Sequence, residues 1–273
     1  MEPVIHYSCH EASDGQVKPA DRHLLVEEPL YIQLGDEPLA SLMRTPGHEL
    51  DLTLGFLLTE GLIRSLADVG AISFCPAASG TNHVRVVAAP GGKLAAAPPP
   101  HRRIYSSCSV CGEDAIKEIL ESCPPFTLEP GRLSVARINA LGEQMRRQQP
   151  LFRETGAPHA AALARRPLDD AALHDTIVRE DVGRHNALDK AVGAALHKGM
   201  DLRQAVLFLS SRLSFEMVAK AARAGIADVV GASAPTALAV ELANRLGMFL
   251  AGFARGAGVT VYSGVDALSP VRR

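Results

Sequence analysis

The chain has 273 residues, 47% hydrophobic and 21% charged, a globular composition with material for one large or two small domains. A formal net charge of −2 excludes a general binder of nucleic acid or anionic membrane, which needs a broad positive field. Any anionic ligand must therefore be held by a local arginine cluster. Aromatic residues make up 4% and Trp is absent, so the core must rest on Leu, Val, Ile and Ala.

The first residues, MEPVIHYSCHEASDG, lack the basic start and apolar stretch of a secretory signal. No run approaches the roughly 18 uncharged apolar residues of a membrane span, and the longest candidates are broken, for example by Glu241 and Arg245. A soluble, cytoplasmic protein is expected. Its five cysteines are Cys9, Cys75, Cys108, Cys111 and Cys123, and in a reducing compartment so odd and sparse a set is not a disulfide framework.

In chain order, residues 1–20 are polar and are expected as a loose, flexible tail. Short strands follow at Leu24–Val26, Leu30–Leu34 and Leu39–Met43, separated by Glu-Glu-Pro and Gly-Asp-Glu-Pro turns. A buried helix is expected over Glu49–Leu62, then strands at Ala71–Phe74 and His83–Val87. Gly91–Pro100, rich in Gly, Ala and Pro, reads as a loop. Gly112–Glu121 is a short amphipathic helix, and Ser134 caps another that runs to about Gln148. Strands and helices then alternate. Strands are expected at His159–Leu163, Thr176–Arg179, Ala205–Leu209, Asp228–Gly231, Phe249–Phe253 and Val259–Tyr262, and helices at Asn186–His197, Phe215–Ala224 and Thr236–Leu246. Such alternation implies helices on both faces of a mostly parallel sheet. The expected organisation is α/β: a smaller N-terminal α+β domain over 21–125, ending in the cysteine loop and short helix, and a larger α/β domain over 130–273, with the boundary near Pro124–Gly131.

In open α/β sheets ligands bind where strands end and helices begin. Three such turns stand out: Glu180 to His185, Ser210 to Ser214, and Ser233 to Thr236. A fourth, Arg255-Gly256-Ala257-Gly258, follows the Phe249–Phe253 strand. Arg179, Arg184, Arg212 and Arg255 can line one crevice and grip diphosphate oxygens by forked hydrogen bonds, although a lone arginine is more often a solvated charge. Helix starts at Ser214 and Pro235 offer free N–H groups; capping explains Pro235 equally well. Glu180 and Asp181 can accept from a guanine edge, with capping an equal alternative for Asp181. His185 and His159 read as structural unless a ligand recruits them, and Glu216 and Lys220, four apart, as a helix-surface pair.

Ser107-Cys108-Ser109-Val110-Cys111-Gly112 is the strongest chemical feature. Both thiols precede a helix whose N-terminal N–H groups favour the thiolate. Glu113 and Asp114 oppose that effect in part, and Arg102 and Arg103 upstream can restore it, so the sequence leaves the net direction open. Several readings stay open on spacing alone. A zinc site needs about four ligands, and there is no second C-x-x-C to complete one, so no zinc is expected. A thioredoxin-like oxidoreductase wants its pair close after an early strand of a βαβ unit, whereas this pair follows a Pro-rich loop. A persulfide carrier needs a reachable thiolate, and a structural pair needs nothing more. Cys75 and Cys123 read as small buried hydrophobes, and Cys9 has no evident role.

Several long runs, in order, closely resemble the FdhD family of formate dehydrogenase accessory sulfurtransferases. They are Glu154-Thr155-Gly156-Ala157-Pro158-His159-Ala160-Ala161, the run from Val178 through Glu180-Asp181-Val182-Gly183-Arg184-His185-Asn186 to Lys190, Ser211-Arg212-Leu213-Ser214-Phe215-Glu216-Met217, and Ser233-Ala234-Pro235-Thr236 through Glu241, with the C-x-x-C upstream. The likeness extends from about Glu27 to Tyr262. It implies a cytidine-deaminase-like three-layer C-terminal domain that binds the molybdenum bis(molybdopterin guanine dinucleotide) cofactor. It also implies sulfur taken from a cysteine desulfurase as a persulfide on Cys108, assisted or resolved by Cys111. That sulfur is passed to the cofactor before the cofactor enters formate dehydrogenase, and a homodimer is implied.

By the same resemblance the cofactor loop is Phe253, Ala254, Arg255, Gly256, Ala257 and Gly258; the strand-end turns add Arg212, Ser211, Arg184, His185 and Asp181 as candidate cofactor contacts. Two departures stand out. Ser109 occupies a position where the family commonly has Gly, which permits positive φ at little cost, and Gly256-Ala257-Gly258 replaces a Pro-Gly-basic arrangement with loss of one positive charge. A zinc deaminase needs H-x-E at one helix start and P-C-x-x-C at the next. No H-x-E occurs in the chain, so deamination is not expected. Other functions to separate from sulfur transfer are a non-catalytic cofactor-binding chaperone and a C-x-x-C thiol oxidoreductase.

Overall fold

The computed structural model describes residues 2–76, 82–92 and 113–269. Residues 93–112, which hold most of the expected Gly91–Pro100 loop together with Cys108 and Cys111, lie outside the described residues, as does the Cys75 side chain.

The chain opens with β1 (Val4–Ser13) and β2 (Gln16–Leu25), an antiparallel hairpin in full register from Val4↔Leu25 to Ser13↔Gln16. This corrects the expectation of a loose tail over residues 1–20. Its strands are largely exposed on both faces, so there is no burial periodicity to read, and the Asp14-Gly15 pair with positive φ at both residues makes the tight turn. The hairpin reaches the body through an ion pair of His23 with Glu154 (2.9 Å).

β3 (Glu28–Leu34), β4 (Glu37–Arg44), β5 (Val69–Pro76) and β6 (Asn82–Ala88) form a four-stranded sheet in the order β4-β3-β6-β5, with β3 and β6 parallel. α1 (Glu49–Thr59) crosses beneath it, and α2 (Glu113–Ser122) follows residue 112. The second sheet comprises β7 (His159–Arg165), β8 (Ile177–Asp181), β9 (Ala205–Leu209), β10 (Asp228–Gly231), β11 (Phe249–Arg255) and β12 (Gly258–Ser263), in the order β12-β11-β10-β9-β7-β8. Only β9–β10 and β10–β11 pair in parallel, so the sheet is mixed, not mostly parallel as expected. Short connections explain this. β7 and β8 are joined through the five-residue α5 (Asp170–His174), and β11 and β12 by two residues; neither link carries a helix long enough for a crossover.

The strand residues alternate cleanly between two cores. Ala161, Leu163, Leu207, Leu209, Val229 and Leu250 face α6 (Arg184–His197), α7 (Phe215–Arg223) and α8 (Ala237–Leu246). Their core continues through α1 into Leu30, Ile32, Val84 and Val86 of the small sheet. Ala160, Ala162, Val206, Phe208, Val230 and Phe249 face the opposite way, onto Ile138, Leu141 and Met145 of α3 (Val135–Arg147). A period of two with both faces apolar is what a sheet buried between helical layers requires. The expected Ser134 cap is present, its hydroxyl accepting from Arg137 N. α4 (Pro150–Thr155) and α5 were not anticipated, being too short to show a helical period. No helix among the described residues is long and apolar enough to cross a membrane.

Candidate functional site

β8 and β9 both run antiparallel to β7, and β10 and β11 run parallel to β9. The C-terminal ends of β8, β9, β10 and β11 therefore share one edge with His159, the first residue of β7. The loops leaving that edge are tied to one another. Ala160 N donates to Ser210 Oγ (2.8 Å), and Ser210 N returns a bond to Ala160 O (3.0 Å). Leu213 N donates to Ala234 O and Thr236 N to Leu213 O, both at 3.0 Å. Phe253 N donates to Ser233 O (3.2 Å), and Arg255 Nε to Ala232 O (2.9 Å). The result is a continuous rim whose backbone is fixed by its own hydrogen bonds.

Three helices of nine or more residues, α6, α7 and α8, begin on this rim. Arg184 and His185 open α6, and both meet Glu216 in the first turn of α7: His185 Nε2 is 3.0 Å and Arg184 Nη2 3.9 Å from Glu216 Oε2. On this rim the buried Arg184 Nε and Ser214 Oγ have no hydrogen-bond partner among the described residues. Ser214 is the N-cap of α7 but makes no side-chain cap bond. Ser211 is buried and turns its hydroxyl to Arg212 O (3.1 Å), which leaves the exposed Arg212 side chain at the lip. His159 is half-buried here. Burial first, then the nearby positive charge of Arg184, Arg212 and His185, lowers its pKa below the ordinary histidine value. Helix N-termini and arginines gathered on one edge favour an oxyanion.

The β11 end supplies the remaining wall. Phe253 sits at φ 51° with its side chain 45% exposed, where the β11–β12 register is irregular between Gly252 and Arg255. A bulky residue in left-handed backbone is uncommon, and here it accompanies the break in β11–β12 pairing. Gly252 makes the arrangement possible: a Cβ there would stand 2.8 Å from Ser233 O and 3.1 Å from Pro235 Cδ. Ala254 is buried and anchors the strand. The chain turns at Gly256 (φ 64°) through Ala257 into Gly258.

Several residues expected at this crevice are occupied elsewhere. Asp181 is fully buried. Its Oδ1 accepts from Gly183 N (2.9 Å) and Asn186 Nδ2 (3.0 Å), and its Oδ2 from Thr45 N (3.1 Å) while pairing with Lys190 Nζ (2.7 Å). With four partners it is an internal anchor, which corrects its assignment to a ligand. Glu180 turns the other way and accepts from Leu151 N (3.0 Å) and Phe152 N (2.8 Å), closing the start of α4; burial raises its pKa. Arg179 is held by Asp51 of α1 (2.9 and 3.1 Å). Glu216 and Lys220 do not pair as expected. Lys220 Nζ lies inside the protein, 2.7 Å from Glu60 Oε1 and 2.9 Å from Asp189 Oδ2. His159 and Gly252 gave no sequence signal strong enough to rank them; their roles depend on loops that meet only in three dimensions. Cys123 is buried, as expected.

A profile of the FdhD/NarQ family matches residues 25–269. The chain is 40% identical over 269 residues to "Sulfur carrier protein FdhD" of Streptomyces coelicolor, covering 94% of this chain and 92% of that protein. It is 38% identical over 284 residues to the protein of the same name from Mycobacterium tuberculosis, covering 97% and 99%. Among solved structures, a Desulfotalea psychrophila protein assigned as a formate dehydrogenase accessory protein superposes with a TM-score of 0.76 at 25% identity, over 98% of this chain and all of that one. The chain belongs to the FdhD/NarQ family.

Proposed function

We propose that this protein is a sulfur carrier that serves formate dehydrogenase. It takes sulfur from a cysteine desulfurase onto Cys108 and presents it to the molybdenum bis(molybdopterin guanine dinucleotide) cofactor as acceptor substrate. The Cys108 thiolate attacks the terminal sulfur of the desulfurase persulfide. A new S–S bond forms at Cys108 and the desulfurase thiolate leaves. If the terminal sulfur is released as sulfide, the Cys111 thiol supplies the two electrons by closing a disulfide with Cys108.

The observation that carries the acceptor half of this reading is the rim itself. Arg184 Nε and Ser214 Oγ, without hydrogen-bond partners among the described residues, lie at the starts of two neighbouring helices, with Arg212 and Arg255 on the same edge and the exposed Phe253 ring on the β11 wall. Diphosphate oxygens suit the first group and a guanine face suits the second. Arg184, His185, Ser211, Arg212 and the Phe253–Gly258 loop bind and orient the guanine dinucleotide arms, and proximity is the protein's main contribution. The sulfur half rests on the relatives' shared name and on the C-x-x-C lying within the matched region. Layered helices around the mixed sheet support a cytidine-deaminase-like reading of the larger unit, and the family resemblance supports a cytoplasmic homodimer.

The test is intact-protein mass after incubation with a cysteine desulfurase and cysteine. One added sulfur mass, removable by reductant and lost in Cys108→Ala, is expected. An unchanged wild-type mass would overturn sulfur transfer. Complementation by Cys108→Ala would point instead to a chaperone that carries no sulfur.

A further inference from the structure

At the opposite edge of the six-stranded sheet, where β9 and β10 begin and β7 ends, a cleft of about 470 Å³ opens between the sheet and the segment joining α2 to α3. Arg132, Arg166, Arg203, Arg223 and Glu129 line it, four cations against one carboxylate, with Phe126 on the wall. It shares no residue with the rim described above.

The charges here do not balance. Arg132 and Arg166 are buried, with side chains 7% and 10% exposed, and both converge on Asp228, which is wholly buried. One carboxylate thus faces two guanidinium groups. Arg132 Nε has no hydrogen-bond partner among the described residues, and Arg166 Nε, although 3.0 Å from Asp228 Oδ2, is out of line for a hydrogen bond. Arg166 also donates to Arg203 O (2.8 Å), which carries the exposed Arg203 side chain to the mouth of the cleft. Among the described residues no carboxylate pairs with the Arg203 guanidinium. Arg223, on the far wall, is held by Glu118 (3.5 Å) and more distantly by Glu60 (3.9 Å). A buried guanidinium without a full counter-charge is costly unless an anion completes it.

We infer that this cleft is a second anion site, separate from the strand-end crevice, that takes the phosphoryl group of a small phosphorylated ligand. Arg132 and Arg166 present donors from the floor and Arg203 closes over the oxyanion from the rim. Planar guanidinium forks suit a tetrahedral oxyanion. The volume admits a small molecule and not a protein segment of any length.

Pyrophosphate titrated calorimetrically into the full chain tests the assignment, alongside Arg203→Ala and, as a control at the other edge, Arg255→Ala. Because Arg203 is exposed and has no carboxylate partner, its substitution leaves the fold intact, unlike changes at Arg132 or Arg166. The expected result is a binding event that weakens about tenfold in Arg203→Ala, the loss of one charge-assisted contact, and persists in Arg255→Ala. Absence of binding in the wild type, or binding indifferent to Arg203→Ala, overturns the site. So does capture of a hexaglutamate peptide in place of pyrophosphate, because the cleft would then be a protein-docking surface. None of these outcomes bears on sulfur loading at Cys108.

Discussion

Gly55 of α1 and Gly193 of α6 let two helix backbones touch. A Cβ on Gly55 would fall 1.8 Å from the Asp189 carbonyl oxygen, and one on Gly193 would fall 1.9 Å from that of Asp51. Residue 55 thus lies against 189 while 51 lies against 193, so the helices run antiparallel. The close approach fastens the small sheet to the large one. It brings Asp51 to Arg179 and His197 (2.9 and 2.7 Å), Thr59 to Asp189 (2.7 Å), and Thr45 to Asp181 and Lys190.

A methyl group at this contact has nowhere to go, since the atoms it meets are backbone. Gly55→Ala is expected to destabilise the protein by about 3 kcal/mol, the upper end for overpacking a close contact. Gly258→Ala, whose Cβ meets nothing within 4 Å, should change stability by less than about 0.5 kcal/mol. Chemical denaturation of the two variants checks the pair, and equal midpoints would refute the close-contact account.

Lys220 holds two carboxylates inside the protein. Its own pKa is raised: burial alone would lower it, but Asp189 and Glu60 outweigh that. Burial raises the Asp189 pKa despite Lys220. Burial would raise Glu60 too, but Lys220 and Arg223 bring it below the ordinary value. Lys220→Met leaves both acids without their main cation and is expected to cost about 3 kcal/mol at neutral pH. In the wild type Glu60 contributes stability that is present above its ordinary pKa and lost as pH falls through its lower folded value. In the variant both acids bind protons more readily folded than unfolded, so its deficit should shrink as pH falls into the carboxylate range. Melts from pH 7 to pH 4 decide this; a deficit that grows on acidification would contradict it.

How much of this could be seen in the sequence depended on the range of the interaction. The runs Ala205–Leu209 and Asp228–Gly231 are strands over the expected residues, and Ser134 caps its helix as expected, because apolar runs and caps act within a few residues. Hairpin β1–β2 was missed because neither of its faces is packed on a core, which removes the periodic signal. Sheet direction was misjudged because the lengths of the β7–β8 and β11–β12 links, not the alternation of elements, decide it. At the crevice, Arg184 and Arg212 share an edge, whereas Arg179 of the same expected set is held by Asp51. Asp181 and Glu180 could not be assigned from sequence, since their partners Thr45 and Leu151 are 136 and 29 residues away. Lys220 gave a misleading signal: its spacing from Glu216 suited a surface pair, yet it lies on the buried face of α7.

Phe253 separates a structural role from a binding one. At φ 51° a non-glycine residue carries about 1 kcal/mol of backbone strain, and its exposed ring returns little by packing. Phe253→Gly should therefore stabilise the free protein by about 1 kcal/mol. If the ring stacks on guanine, the same change should weaken GDP binding by about fivefold or more. Calorimetry and a thermal melt on one variant read both effects. A variant that is more stable and binds GDP as well as wild type removes Phe253 from the binding surface.

His159 gives the crevice a pH signature. Burial, Arg184, Arg212 and His185 hold its pKa below the ordinary value. The unfolded chain therefore takes the proton first as pH falls, and the folded state loses stability through the window below about 6.5, with no contribution above it. His159→Gln should abolish that part of the decline. An oxyanion bound beside the imidazole acts in the opposite direction, favouring the protonated ring and drawing its pKa upward. GDP binding near pH 6.5 should then be accompanied by proton uptake, measured by calorimetry in buffers of different ionisation enthalpy. GDP titrates in the same range, so the informative quantity is the uptake that disappears in His159→Gln. Equal uptake in the variant would place the phosphates away from His159 and require a different seat for the nucleotide on the rim.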